Sequence, residues 1–251
     1  MMYRVVKIEK IKDETPTIKT FFFKDNSEPE PGQFYMIWIP GVDEFPMSIS
    51  YIGDKKAFTV KRIGKGTTAM HKLKEGDKLW IRGPYGRGFK IENGYTLILG
   101  GGSGMATLGP LIEKVKGDVI IAARTKDELL FVDRFKDRNV YIATDDGSAG
   151  FKGYATELAR EIMKSKDYSI IYTCGPEIMM RKIIDMGIER GIKVQASLER
   201  LMKCGIGICD SCSINGYRVC VDGPVFSEKE LVKMQDLGRY KRDKAGRRVP
   251  L

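Results

Sequence analysis

The sequence predicts three consecutive parts: an antiparallel β-barrel over residues 1–91, a parallel-sheet α/β domain over 92–195, and a small cysteine-bearing domain over 196–251. Three observations lead there. Short alternating apolar runs separated by turn residues fill the first third. Strand and helix patterns then alternate, which implies βα units and a parallel sheet. Finally, four of the five cysteines crowd into residues 204–220.

In the first part, strands are predicted at 3–12, 17–24, 33–39, 46–52, 57–63 and 78–82. Asp25-Asn26-Ser27, Pro31-Gly32, Pro40-Gly41, Gly53-Asp54 and Glu75-Gly76-Asp77 mark the turns between them. Six short strands in so little chain suit a small antiparallel barrel. One helix is predicted, at 67–73, and it follows the glycine-rich turn Gly64-Lys65-Gly66. Backbone N–H groups at a helix start favour phosphate, and Arg62 and Lys65 add positive charge. Two further fragments are Phe45-Pro46-Met47-Ser48 and Gly83-Pro84-Tyr85-Gly86. Each alone reads as an ordinary strand or turn.

In the second part, strands are predicted at 95–99, 118–123, 140–144, 169–173 and 193–197, with helices at 105–116, 127–135, 155–164 and 176–190. Gly100-Gly101-Gly102-Ser103-Gly104 joins the first strand to the first helix. A nucleotide site needs its glycine loop there, although the spacing is not the usual G-x-G-x-x-G. Residue type alone leaves the nucleotide open. Cys174-Gly175-Pro176 closes a strand and opens a helix, with proline suited to a first helical position. By residue type Cys174 reads as a buried structural thiol; by place it lies at the ligand edge of the sheet.

The third part carries Cys204, Cys209, Cys212 and Cys220 in the spacing C-x4-C-x2-C-x7-C. The first three reproduce the plant-type [2Fe–2S] run. Gly205 and Gly207 between the first two ligands let a loop turn its N–H groups toward sulfur. A structural zinc usually takes paired C-x2-C ligands, so it fits this spacing less well. Two disulfides fit still less, because no secretory signal precedes them.

Composition narrows the functional class. The net charge is +10 with a single histidine, His71. That leaves little for triad or acid–base chemistry and argues against a hydrolase. No stretch approaches the length of a transmembrane helix, and a cytoplasmic protein is expected. The densest charge lies at 238–248, with six basic residues. A solvated tail is its plain reading, and packing against a partner protein the second. A zinc-stabilised nucleic-acid-binding protein using this tail would leave the glycine loops unexplained.

Taken together, F-P-M-S, G-K-G-T, L-G-G-G-S-G-M-A, T-D-D-G-S-A-G-F-K-G, C-G-P and the four cysteines with D-G-P-V-F form one ordered series. It resembles the electron-transfer subunits of NAD-dependent dihydroorotate dehydrogenases, within the ferredoxin–NADP reductase superfamily, over nearly the whole chain. The resemblance implies a flavin-binding barrel, an NAD-binding domain and a [2Fe–2S] domain. It implies FAD at Phe45, Pro46, Met47 and Ser48, at Val60, Lys61 and Arg62, and at the pyrophosphate loop of Gly66 and Thr67. Gly100, Gly101, Gly102, Gly104, Cys174, Gly175 and Pro176 would flank the nicotinamide of NAD. Cys204, Cys209, Cys212 and Cys220 would ligate the cluster. Phe45 stands where the family usually carries arginine, which removes one phosphate contact. The implied partner is an FMN-containing catalytic subunit, two of each chain forming a heterotetramer, with no nucleic acid and no membrane. The implied role is electron transfer in pyrimidine biosynthesis, with no substrate base on this chain. The related subunits of cytosolic hydrogenases, sulfhydrogenases and ferredoxin–NADP reductases share most of these motifs and are the alternative.

Overall fold

A computed structural model describes residues 2–251. The first part is a closed barrel. Its strands are β1 (Arg4–Thr15), β2 (Ile18–Phe23), β3 (Phe34–Ile39), β4 (Asp43–Tyr51), β5 (Lys56–Lys61) and β6 (Lys78–Tyr85), in the order β1-β2-β5-β4-β3-β6. Alternation makes it close. Phe21, Phe23, Tyr35, Ile37, Phe58 and Val60 all point inward and are fully buried. Phe23 and Phe58 stack with ring centroids 4.7 Å apart. Each such ring contributes about 2–3 kcal/mol through burial. The helix α1 (Lys65–Met70) starts two residues earlier than predicted and buries Met70 as a plug of the barrel.

The second part contains β7 (Thr96–Gly101), α2 (Gly104–Ile112), β8 (Gly117–Ala123), β9 (Asn139–Thr144), β10 (Phe151–Lys152), α3 (Ala155–Ile162), β11 (Ile170–Cys174), α4 (Glu177–Glu189) and β12 (Lys193–Ser197). The sheet order is β10-β9-β8-β7-β11-β12-β15, where β15 (Val225–Ser227) comes from the cysteine-bearing part. Strands β7 to β12 run parallel and β15 pairs antiparallel with β12. The order reverses at β7: β8 and β9 lie to one side, β11 and β12 to the other. A crevice forms at the carboxyl ends of strands at such a point.

The remaining elements are β13 (Ser213–Ile214), β14 (Tyr217–Arg218), α5 (Val219–Asp222), α6 (Glu228–Leu231), β16 (Tyr240–Arg242) and β17 (Arg248–Pro250). Two expectations change here. Residues 127–135 form two short 3-10 turns, Lys126–Glu128 and Asp133–Phe135, rather than one helix. Leu129 to Val132 are four apolar residues in a row and would wrap round a helix. Breaking the chain at Phe131, with φ at +67°, turns Leu130, Phe131 and Phe135 all into the core. The basic stretch is not a loose tail. It folds as the β16–β17 hairpin, held by Arg248 to Asp236 at 2.8 Å and Arg242 to Ser213 at 3.0 Å. The cysteine-bearing part lends β15 to the sheet of the second part. No helix among the described residues is long and apolar enough to cross a membrane.

Candidate functional site

The segment expected to meet flavin lies on β4, a central barrel strand paired on both sides by β3 and β5. A central strand would ordinarily be covered, yet Phe45, Pro46, Met47 and Ser48 all stay half-buried. Such a partly open apolar strand is what a flat ring can cover. The Phe45 ring lies over the start of α1: a Cβ on Gly66 would sit 2.5 Å from it. Phe45 therefore forms an apolar wall over the glycine turn before α1, and no guanidinium reaches in from that position. Thr67 Oγ1 accepts the N–H groups of Ile63 and Gly64, both at 3.0 Å, and fixes the loop. The next N–H groups, at the first turn of α1, have no partner within the helix. Arg62 and Lys65 are exposed beside them and neither forms an ion pair among the described residues. Lys61 ends β5 and reaches Glu128 across the domain boundary at 3.9 Å. Val60 is different. Its side chain is buried in the barrel core and its carbonyl is bonded by His71 Nε2 at 2.8 Å. It supports the site from beneath. His71 is a barrel residue, half-buried against Phe21, with its pKa lowered by burial.

The nucleotide segments meet at the crevice. Gly100 on β7 is in register with Cys174 on β11. Gly104 opens α2 directly against that edge: an added Cβ would be 2.3 Å from the Cys174 carbonyl oxygen. Gly101 and Gly175 touch closely enough that a Cβ on Gly175 would meet the Gly101 Cα at 3.0 Å, while Gly102 faces open space. Pro176 packs on Gly101 and leads into α4. The two loops thus form one glycine-lined wall over the β7–β11 switch point, as a dinucleotide requires. Burial pushes the Cys174 thiol up to about 12, so it stays a neutral thiol. Glu199 lies just past β12 on the same side. Protein surrounds its carboxylate while leaving it open to solvent, and burial raises its pKa.

The four cysteines fall into two pairs. Cys204 lies next to Cys209, and Cys212 next to Cys220, whose backbone N–H bonds the Cys212 sulfur. Backbone N–H groups already point at sulfur: Ile206 to Cys204 Sγ and Cys220 to Cys212 Sγ, both at 3.4 Å. Two pairs suit a two-iron centre with two thiolates on each iron. Gly205 has φ at +70°, which brings this loop hard against the barrel: a Cβ there would be 2.8 Å from Met36 Cγ. Cys212 and Cys220 are buried; Cys209 is exposed next to Ile208, which is 78% exposed.

These three places are stacked. Met36 on β3 is in register with Pro46 on β4 and with Arg82 on β6. The cluster loop rests on that row, so it adjoins the flavin strand. From the other domain α2 packs on β4, with Gly109 close to the Ser50 carbonyl. Sequence reasoning missed Met36, Arg82 and Glu199. Met36 and Arg82 sit among apolar strand residues and acquire their place only when the barrel closes; Glu199, next to the cysteine run, carried no motif of its own.

Comparison with known proteins agrees with this geometry. The profile described as "Iron-sulfur cluster binding domain of dihydroorotate dehydrogenase B" matches residues 199–232. A protein of Thermoplasma volcanium named "Probable dihydroorotate dehydrogenase B (NAD(+)), electron transfer subunit" is 48% identical, with 98% of each chain covered. One of the same name in Methanocaldococcus jannaschii is 45% identical, covering 98% of this chain and 97% of its own. Among solved structures, a chain of an NADH-dependent reduced ferredoxin–NADP oxidoreductase, described in work on flavin-based electron bifurcation, superposes with a TM-score of 0.81 at 30% identity over 93% of each chain. Phthalate dioxygenase reductase shares the fold, with a TM-score of 0.61 at 20% identity over 73% of this chain and 64% of its own. By sequence along nearly its whole length, the chain belongs to the family of dihydroorotate dehydrogenase B (NAD(+)) electron transfer subunits.

Proposed function

We propose that this chain is the electron-transfer subunit of an NAD-dependent dihydroorotate dehydrogenase. Electrons enter from a separate dihydroorotate-oxidising FMN subunit at the cluster loop and leave to NAD+ at the glycine crevice. The observation that carries this reading is the placement of β4 between the cluster loop and α2. When bound, FAD exchanges a hydride with the nicotinamide and single electrons with a [2Fe–2S] cluster, and so links a two-electron carrier to a one-electron one.

The chain's own residues then have distinct tasks. Cys204, Cys209, Cys212 and Cys220 hold the cluster, and Gly205 brings its loop to the barrel. Pro46 to Ser48 offer a flat, partly apolar strand, while the first turn of α1 with Arg62 and Lys65 meets phosphates. Gly100 to Gly104 and Cys174 to Pro176 let a dinucleotide approach the backbone closely. Burial keeps the Cys174 thiol protonated, so it packs against the nicotinamide position without adding charge. The exposed edge at Ile208 and Cys209 is where the partner subunit would sit, with two copies of each chain in the assembly.

The experiment is an anaerobic native purification of this chain, followed by identification of the co-purifying protein and assay of dihydroorotate-dependent NAD+ reduction. An FMN-bearing partner in equal amount, with orotate formed, is the expected result. A nickel-containing partner with no orotate formed would overturn the proposed electron donor.

A further inference from the structure

Arg82 stands where the barrel meets the cluster loop. Its side chain is 9% exposed and pairs with Glu44 of β4 at 2.6 Å. From the same guanidinium, Nη1 donates to the carbonyl oxygen of Cys204 at 2.8 Å. The rings of Tyr3 and Tyr85 flank it, at 5.8 and 5.7 Å from their centroids. Glu44 immediately precedes Phe45, and Arg82 shares its cross-barrel row with Met36, on which Gly205 rests. One buried cation is therefore fastened to the flavin strand at one end and to the first cysteine of the cluster loop at the other.

We infer that Arg82 is a positioning residue that sets the reduction potential of the cluster, by locking the Cys204 loop onto β4 and laying positive charge beside it. The inference rests on the reading of Cys204 as a cluster ligand. Reduction adds one negative charge to the cluster. A cation close by favours the reduced form, and more so where aromatic rings keep water away. Net charge, hydrogen bonds and exposure are the protein's means of setting such potentials. Glu44 offsets part of this charge, but the guanidinium stands between Glu44 and Cys204, so the cation is the nearer of the two. Arginine suits the task because its fork holds a carboxylate and a carbonyl at once, and lysine offers only a point charge.

The test is an EPR-monitored redox titration of the full, cofactor-loaded chain. In Arg82→Met the reduced-to-oxidised ratio of the cluster at fixed poise should fall by about tenfold, which for one electron is a shift of about 59 mV to more negative potential. The flavin midpoint should stay in place. Glu44→Gln should move the cluster the opposite way, and Arg82→Lys should lie between Arg82→Met and the native chain. A loaded Arg82→Met whose cluster potential is unmoved overturns the inference. Should that variant fail to retain its cluster, Glu44→Gln decides: a potential unchanged or more negative overturns it. Cys204→Ser separates this inference from the reading beneath it. A native EPR signal in that variant would sink the ligand assignment, whereas loss of the signal leaves the potentials to judge Arg82.

Discussion

At the scale of single residues, an exposed thiol and a buried carboxylate invite different tests. Cys209 is the exposed member of the four thiols. Cys209→Ser is expected to abolish the cluster's visible absorbance while FAD stays bound and NADH-to-dye reduction continues; joint loss of flavin and absorbance would contradict the assigned separation of sites. Asp118 has a structural role at the opposite end of the sheet. Its fully buried carboxylate accepts bonds from Tyr95 at 2.6 Å, Tyr168 at 2.6 Å, Lys166 at 2.8 Å and from Asn139. Burial alone would raise its pKa, but the bonds from Lys166, Tyr168, Tyr95 and Asn139 outweigh it and hold the pKa below the usual carboxylate range. A group depressed in the native state stabilises above its unfolded pKa of about 3.9 and loses that contribution as pH falls through the lower native value. Asp118→Asn should therefore cost about 2–3 kcal/mol at pH 7. In urea unfolding, its deficit relative to the native chain should shrink below about pH 4. A deficit constant with pH would show that the charge is irrelevant.

At the scale of elements, the glycine wall is the part most exposed to a single change. Gly104 starts α2 against backbone atoms of β11, which cannot move aside as a flexible side chain would. Gly104→Val is expected to part the β7–β11 edge and raise the KM for NADH by at least about tenfold, a loss near 1.4 kcal/mol. Flavin content and the cluster's EPR signal should be unchanged; an unaltered KM would remove the crevice from nucleotide binding. The elements themselves were largely legible. The β2 run I-K-T-F-F-F read as a strand from its β-branched and aromatic residues, and the β7 run before the glycines because a short apolar run buried throughout suits a central parallel strand. The stretch 127–135 was misread because its charged ends resemble a helix, while its four central apolar residues need several directions of burial at once. The basic run at 238–248 keeps its six basic residues exposed, as read, but its hairpin was not legible because anchors such as Ser213 and Arg200 lie far away in sequence.

At the scale of the whole molecule, barrel and nucleotide domain are pinned by Arg134. Its guanidinium lies 3.5 Å from the Tyr51 ring centroid, donates to the Ser50 carbonyl at 2.9 Å and pairs with Glu113 at 2.6 Å. Arg134→Ala should cost about 2 kcal/mol and lower the Tm by a few degrees, while the cluster's EPR signal is retained. An unchanged Tm would show that the two domains are held by other contacts. The local chemistry was determined by sequence alone: strand and helix periods, the glycine loops and the cysteine spacing depend on neighbours along the chain. What only the tertiary structure decided is how those places are ordered. The row Met36, Pro46 and Arg82 exists once three separate strands share a register. The cluster loop reaches that row because β15 joins the far edge of the sheet and Gly205 fits over Met36. Such contacts join residues far apart in the chain, and their fit depends on side-chain packing that no local pattern records.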